Sequence, residues 1–357
     1  MTDTVADVLS PAQQNLKAKA LAAEYGFTLQ GIALLPEDGL SPRAQSLAAW
    51  LENGFHGPLD YMQESSQTRQ HVTQRLPWMR SVLVLGAFYE GLPRGVAGED
   101  LVAHVAGYAR GRDYHLIFQR RLKKLCAALV GSGVCRRTHW HSDTGPFLER
   151  AWGEAAGVGW SGKNACLIHP RLGSFFLLSE VFMDSTPEPD RPMPNYCGTC
   201  TRCLDACPTQ AFPAPGVLDA NRCLVTWNIE RRGETPKELW AEQGAWAAGC
   251  DICQTVCPYN APRRVSLPDA ELAAPLPWQS MSLADCIRMD EATFDRAFPA
   301  SALRRTGLKG LRLGAITAAG NLKLENCREA LIKSLSDVDN DIRDRAAWAL
   351  STPGQAV

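Results

Sequence analysis

Through the first half of the chain, short unbroken apolar runs alternate with stretches in which apolar residues recur every three or four positions. The runs at 28–35 and 81–89 (SVLVLGAFY) predict strands, because β-branched and apolar residues continue between turn residues. The second predicts a strand buried on both faces. Further strands are expected over 135–141 and 174–183. Helical spacing begins at Ser10-Pro11, where a serine oxygen can accept from a free amide and proline costs nothing. That helix runs through Leu16 and Leu21 and should end before Gly26. A second helix is expected over 42–53, with Ala44, Leu47, Trp50 and Leu51 on its apolar side and Gly54 as its cap. A third covers 115–130, where Leu116, Phe118, Leu122 and Leu125 interleave with Gln119, Arg120, Arg121, Lys123 and Lys124, and Gly131 stops it. Helices alternating with strands in this way predict a layered α/β domain.

Beyond residue 266 the pattern becomes purely helical. Pro262, Pro268, Pro275 and Pro277 mark a linker, and 303–322 and 342–350 carry helical periodicity rich in small residues. Setting LRLGAITAAG (311–320) beside IRDRAAWAL (342–350) suggests one HEAT-like repeat, which must pack on the preceding domain because one repeat cannot form a solenoid. The chain of 357 residues therefore reads as α+β multidomain: an α/β domain over 1–185, a cysteine-rich domain over 186–265, and HEAT-like helices over 266–357.

Composition changes this picture little. With 45% hydrophobic and 21% charged residues the chain is an ordinary globular one. No secretory signal, twin-arginine pair or bilayer-length apolar run is visible, so a soluble, cytoplasmic protein without a membrane partner is expected. The formal net charge of −1 decides nothing about nucleic acid, but its distribution does. Residues 296–324 contain Arg296, Arg304, Arg305, Lys309, Arg312 and Lys323 and no acid. Such a segment suits RNA phosphates, though a solvated helix face would look the same.

The thirteen cysteines change the picture most. Cys197, Cys200, Cys203 and Cys207 follow as C-x2-C-x2-C-x3-C before Pro208, and Cys250, Cys253 and Cys257 precede Pro258. This is the spacing of a bacterial two-cluster ferredoxin, in which the cysteine before each proline serves the other cluster. The first 4Fe-4S cluster would take Cys197, Cys200, Cys203 and Cys257. The second would take Cys207, Cys250, Cys253 and, as the other cysteine between the groups, Cys223. Structural zinc has no use for the x3-C-P ending, and disulfides do not suit a chain without a secretion signal. Cys126, Cys135, Cys166, Cys286 and Cys327 read as buried small hydrophobes.

Two further stretches look chemical. Tyr108 to His115 (YARGRDYH) is dense in ionisable side chains, and HSDTGPFLER (141–150) is followed by GVGWSGKN (157–164). Glycines in the latter allow close backbone approach to a flat ligand, yet it matches neither a Walker loop nor a dinucleotide fingerprint, and a glycine-rich turn remains open. Asp143 can be a turn-former or a chemical group on pattern alone.

Together these motifs resemble the epoxyqueuosine reductase family: Tyr-Ala-x-Gly-x-Asp-Tyr-His at 108–115, Asp-Thr-Gly-Pro-x-Leu-Glu at 143–149, Gly-Trp-x-Gly-Lys-Asn at 159–164, and both cysteine runs, in order over nearly the whole chain. The resemblance implies a cobalamin-dependent enzyme reducing epoxyqueuosine to queuosine at the wobble position of tRNA, with two 4Fe-4S clusters relaying electrons from an unidentified donor to cobalt. It implies Asp143 as proton donor, which asks for a carboxyl with a raised pKa. Tyr114 and His115 would orient substrate or relay protons, Trp160, Gly162, Lys163 and Asn164 would contact cobalamin, and Arg304, Arg305, Lys309 and Arg312 would contact tRNA. A monomer is expected. The competing expectations are a reductive dehalogenase-like enzyme acting on a small molecule and a non-catalytic electron carrier.

Overall fold

The structure, a computed structural model, describes residues 9–91, 104–261, 268–272 and 281–351. Helix α1 (Pro11–Glu24) opens on a capping box: Ser10 Oγ accepts from the Gln13 amide, the Gln13 side chain accepts from the Ser10 amide, and Pro11 takes the first turn. It stops where Gly26 turns at φ 85°.

Strands β1 (Leu29–Leu34), β2 (Ser81–Phe88), β3 (Thr138–His141) and β4 (Phe176–Met183) form one sheet in the order β1-β2-β4-β3. Every pairing is antiparallel, with His141 opposite Glu180. All eight residues of β2 are buried. Because side chains alternate across a sheet, Leu83, Leu85 and Ala87 face the core shared with α1 and α2 (Tyr114–Gly131), while Val82, Val84 and Phe88 face Phe147 and Trp152 of the segment containing α3 (Glu149–Ala155). The layered reading holds, with an antiparallel sheet covered by helices on both faces.

Two expectations shift locally. Leu16 and Leu116 are 71% and 55% exposed, and the helices bury Ala18, Leu21 and Ala22, and Ile117, Phe118, Leu122 and Leu125, instead. The strand expected over 135–141 shortens at its start because the Arg136 and Arg137 amides bond to the Asp184 side chain rather than to a neighbouring strand.

The helices Leu283–Arg288, α4 (Gly307–Leu322), Arg328–Ser334 and α5 (Asn340–Ser351) share one core with Val105, Ala109, Ile229, Ala247 and Ala248. Small residues make this approach possible: a Cβ on Gly314 would meet the Ala247 carbonyl oxygen at 1.8 Å, and one on Gly320 would meet Ala349 Cβ at 2.7 Å. The strand Trp246–Ala248 also pairs in parallel with His104–Val105. Of the expected linker, Pro262, Pro275 and Pro277 lie outside the described residues. The part around Asp269 and Glu271 is pinned to α2 by ion pairs with Arg121. Among the described residues no helix is long and apolar enough to cross a membrane.

Candidate active site

The cysteine thiols gather in two sets. Cys203 and Cys257 lie within electrostatic reach of each other and of Cys197 and Cys200. Cys250 lies within reach of Cys223 and Cys207, and Cys253 of Cys250 and Cys223. Long-range folding thus brings Cys257 to the first run and Cys207 and Cys223 to the second. Among the described residues no three His, Cys, Asp or Glu side chains converge tightly enough for a single metal ion. Cys126, Cys135, Cys286 and Cys327 are buried as expected. Cys166 departs from that reading, since it is only partly buried and lines a cavity that Cys253 also lines.

The run from Trp160 to Asn164 is a seam between the sheet domain and the cysteine segment. The buried Trp160 donates Nε1–H to Cys197 Sγ at 3.4 Å, Lys163 Nζ donates to the Gly198 carbonyl at 2.7 Å, and Asn164 Nδ2 donates to the Cys253 carbonyl at 3.1 Å. A Cβ on Gly162 would strike Ile168 Cδ1 at 2.4 Å, so this glycine serves a close approach within the seam. Of the four residues expected at cobalamin, Asn164 alone lines the cavity.

Asp143 has φ 59°, a left-handed conformation uncommon for a residue with a side chain. It caps no helix, for α3 begins after Leu148 without a side-chain cap. Its amide donates to Glu149 Oε1 at 2.5 Å, and Gly145 lets the loop lie against the His141 ring, where a Cβ would come within 2.0 Å of Nε2. This backbone aims the carboxylate at the start of α2. Tyr114 O–H donates to Asp143 Oδ2 at 2.7 Å, and His115 Nε2 stands 3.2 Å from the same oxygen. His115 Nδ1 is 2.8 Å from Asp113 Oδ1, and Asp113 also caps α2 by accepting the His115 amide. Tyr114 and His115 stack with ring centres 4.0 Å apart.

Electrostatics distribute the protons. Burial pulls the His115 imidazole down, but its hydrogen bonds with Asp113 and Asp143 outweigh that and raise it to about 9. Burial pushes the Asp143 carboxyl up, yet the hydrogen bonds from His115 and Tyr114 leave it below the usual carboxylate range. Tyr114 is raised by burial and by the Asp143 charge, so it keeps its proton. These surroundings therefore do not raise Asp143 as its expected role asks: they hold its carboxyl low and the His115 imidazole high, because an imidazole between two carboxylates gains more from them than it loses to its own burial.

Tyr114, His115 and Asp143 line one cavity of about 900 Å³, together with Cys207, Cys223, Cys250 and Cys253, Cys166, Tyr61, Arg69, Glu230 and Arg305. That volume is at the upper end of small-molecule sites. A large flat cofactor in contact with both the proton-holding groups and the second thiol set fits these surroundings. Sequence reasoning missed Arg69, whose Nη1 donates to the Phe147 carbonyl at 3.1 Å, and Glu149 with Glu180. Glu180 carried a readable signal as the lone charge in FLLSEVFM.

The basic segment is less free than its composition implies. Arg304 pairs with Asp295 at 2.8 Å, Arg305 with Glu230 at 2.6 Å, Lys309 with Asp341 at 2.6 Å and Asp339 at 2.8 Å, and Arg312 with Asp337 at 2.6 Å. Every partner lies outside 296–324, where a local charge count cannot find it.

An antiparallel sheet domain sealed against two cysteine sets, the second of which lines the cavity, defines an iron-sulfur oxidoreductase, and residues 196–260 match the family model described as 4Fe-4S double cluster binding domain. Residues 69–144 match the model described as epoxyqueuosine reductase QueG, DUF1730. The chain is 39% identical over 317 residues to the epoxyqueuosine reductase of Gloeobacter violaceus, covering 87% of this chain and 97% of that one. It is 34% identical over 353 residues to that of Xanthomonas campestris, covering 96% and 97%. A crystal structure of epoxyqueuosine reductase with a tRNA-Tyr epoxyqueuosine-modified stem loop matches at TM-score 0.83 and 28% identity, over 96% of this chain and 90% of that one. The Bacillus subtilis enzyme, with its catalytic aspartate loop swung out of the active site, matches at 0.81 and 27%, over 95% and 90%. The chain belongs to the epoxyqueuosine reductase family.

Proposed function

We propose that the protein reduces epoxyqueuosine to queuosine at the wobble position of tRNA, the last step of queuosine formation. The observation that carries this reading is that one cavity is lined both by Asp143, His115 and Tyr114 and by Cys207, Cys223, Cys250 and Cys253, so proton and electron sources meet at one place. Removing the epoxide oxygen as water consumes two electrons and two protons. Cobalamin held in the cavity would supply the electrons, and two 4Fe-4S clusters would deliver them to it. Cys197, Cys200, Cys203 and Cys257 would hold one cluster, and Cys207, Cys223, Cys250 and Cys253 the other. Asp143 Oδ2 presents a proton to the epoxide oxygen as charge develops there, His115 supplies that proton, and Tyr114 fixes the carboxylate's orientation. Of the former cobalamin candidates Asn164 is favoured as a contact. Trp160, Gly162 and Lys163 would act by holding the cluster segment in place.

The substrate side of the reading rests on Arg305, which is 57% exposed on its side chain and lines the cavity. Arg304, Lys309 and Arg312 would meet phosphates only by sharing their carboxylate partners. The reading includes the domains at 1–185, 186–265 and 266–357, the HEAT-like character of the last, a low-potential electron donor, a monomer, and a cytoplasmic setting where tRNA resides. Nucleoside mass spectrometry of epoxyqueuosine-containing tRNA incubated with reconstituted enzyme and a reductant tests it. Queuosine should accumulate. Persistent epoxyqueuosine with clusters and cobalamin intact would overturn the reading in favour of a small-molecule reductase.

A further inference from the structure

Glu180 has no exposed surface, and no N–H or O–H group of the described residues donates to either of its oxygens. The carboxyl of Glu149, which accepts the Asp143 amide at 2.5 Å, lies within electrostatic reach of it. Glu180 also stands opposite His141 in the sheet, two residues ahead of Asp143. Two bare carboxylates this near each other, one of them fully buried, repel, whereas one proton between them makes a short, strong O–H···O⁻ bond.

We infer that Glu149 and Glu180 share a proton and together act as a latch that holds the Asp143 loop in its left-handed conformation, so that Oδ2 meets Tyr114 and His115. They are positioning residues: neither carboxyl touches the Asp143 carboxylate through a hydrogen bond, and their effect passes through its backbone amide. Burial, then the Asp143 charge, raises Glu149 to about 7; burial, then Glu149, raises Glu180 well above its ordinary range. Arg150 opposes the shift at Glu149, and Arg69 and Tyr114 also face it. A chain that needed Glu180 only for packing would place an apolar residue there, as β4 does at every other position but Ser179.

This inference rests on the reductase reading for its kinetic arm and not for its spectroscopic one. In the holoenzyme, infrared difference spectra of wild type against Glu180→Gln should reveal a carboxylic-acid C=O band at neutral pH that the variant lacks. In turnover of an epoxyqueuosine-modified stem loop, Glu180→Gln should keep near wild-type kcat, because its amide N–H can donate to Glu149. Glu180→Ala should lose kcat about 100-fold with KM little changed, the usual cost of a misplaced catalytic group. Absence of the band, or equal kcat in wild type and Glu180→Ala, overturns the latch. Equal loss in Glu180→Gln and Glu180→Ala would do the same. Should Glu180→Ala fail to fold, the infrared comparison decides alone.

Discussion

The surroundings of His115 favour its charged form and those of Asp143 its ionised form, and this division has a pH signature. The imidazole is raised from its ordinary 6.5 to about 9, so its stabilising contribution is complete below 6.5 and is lost as pH rises through 9. Turnover should therefore fall through an alkaline limb near pH 9, and in His115→Gln that limb should vanish from the kcat profile. Asp143→Asn keeps the shape of the side chain but offers no carboxylate to carry the proton. It should retain both clusters and lose turnover by roughly 10²–10⁴-fold, measured by queuosine formation. Asp143 itself was legible as a chemical candidate in the D-T-G-P motif. Its protonation state was not, because that depends on Asp113 and His115, brought to it by the start of α2.

At the scale of elements, the glycine-rich run at 157–164 shows how a motif can be seen without its contacts being legible. Its glycines do allow close approach, but what approaches them is the backbone at 191 and 168 and the Ile168 side chain, while the side chains of Trp160, Lys163 and Asn164 meet the cysteine segment. Trp160 places an N–H on the thiol of Cys197, and hydrogen bonds to cluster sulfurs favour the more reduced, more negative state. Trp160→Phe should keep the iron content and shift one cluster to a more negative potential, read by a redox titration followed by electron paramagnetic resonance. In the C-terminal helices the glycines work the same way. An added methyl on Gly314 would sit 1.8 Å from a backbone oxygen that cannot move aside cheaply. Gly314→Ala should lower stability by about 1–3 kcal/mol, seen as a lower melting temperature.

The whole molecule couples three cores: one on each face of the sheet, and one under the C-terminal helices that also takes in Val105 and Ala247. Two 4Fe-4S clusters require eight irons, and anaerobically reconstituted protein should carry close to that number; about four would remove one cluster. Because Arg304, Arg305, Lys309 and Arg312 already hold carboxylates, their contribution to tRNA binding costs broken ion pairs. Arg305→Ala should weaken stem-loop binding and reduce the slope of log affinity against log salt by about one if Arg305 meets a phosphate.

The sequence by itself determined what is local or covalently spaced. The capping box of α1, the two-faced burial of β2, the double run of cysteines before prolines, and the density of ionisable groups at 108–115 and 141–150 all depend on neighbours a few residues away. Only the tertiary structure decided which distant groups meet. It raised the His115 imidazole through Asp113 and Asp143, gave Glu180 its neighbour in Glu149, and drew Cys166 from a presumed core position to the cavity that Cys253 also lines. It also supplied the basic segment with acids from elsewhere in the chain. The reason is physical: hydrogen bonding and charge act over a few ångströms in space, and only folding decides which residues come within that distance.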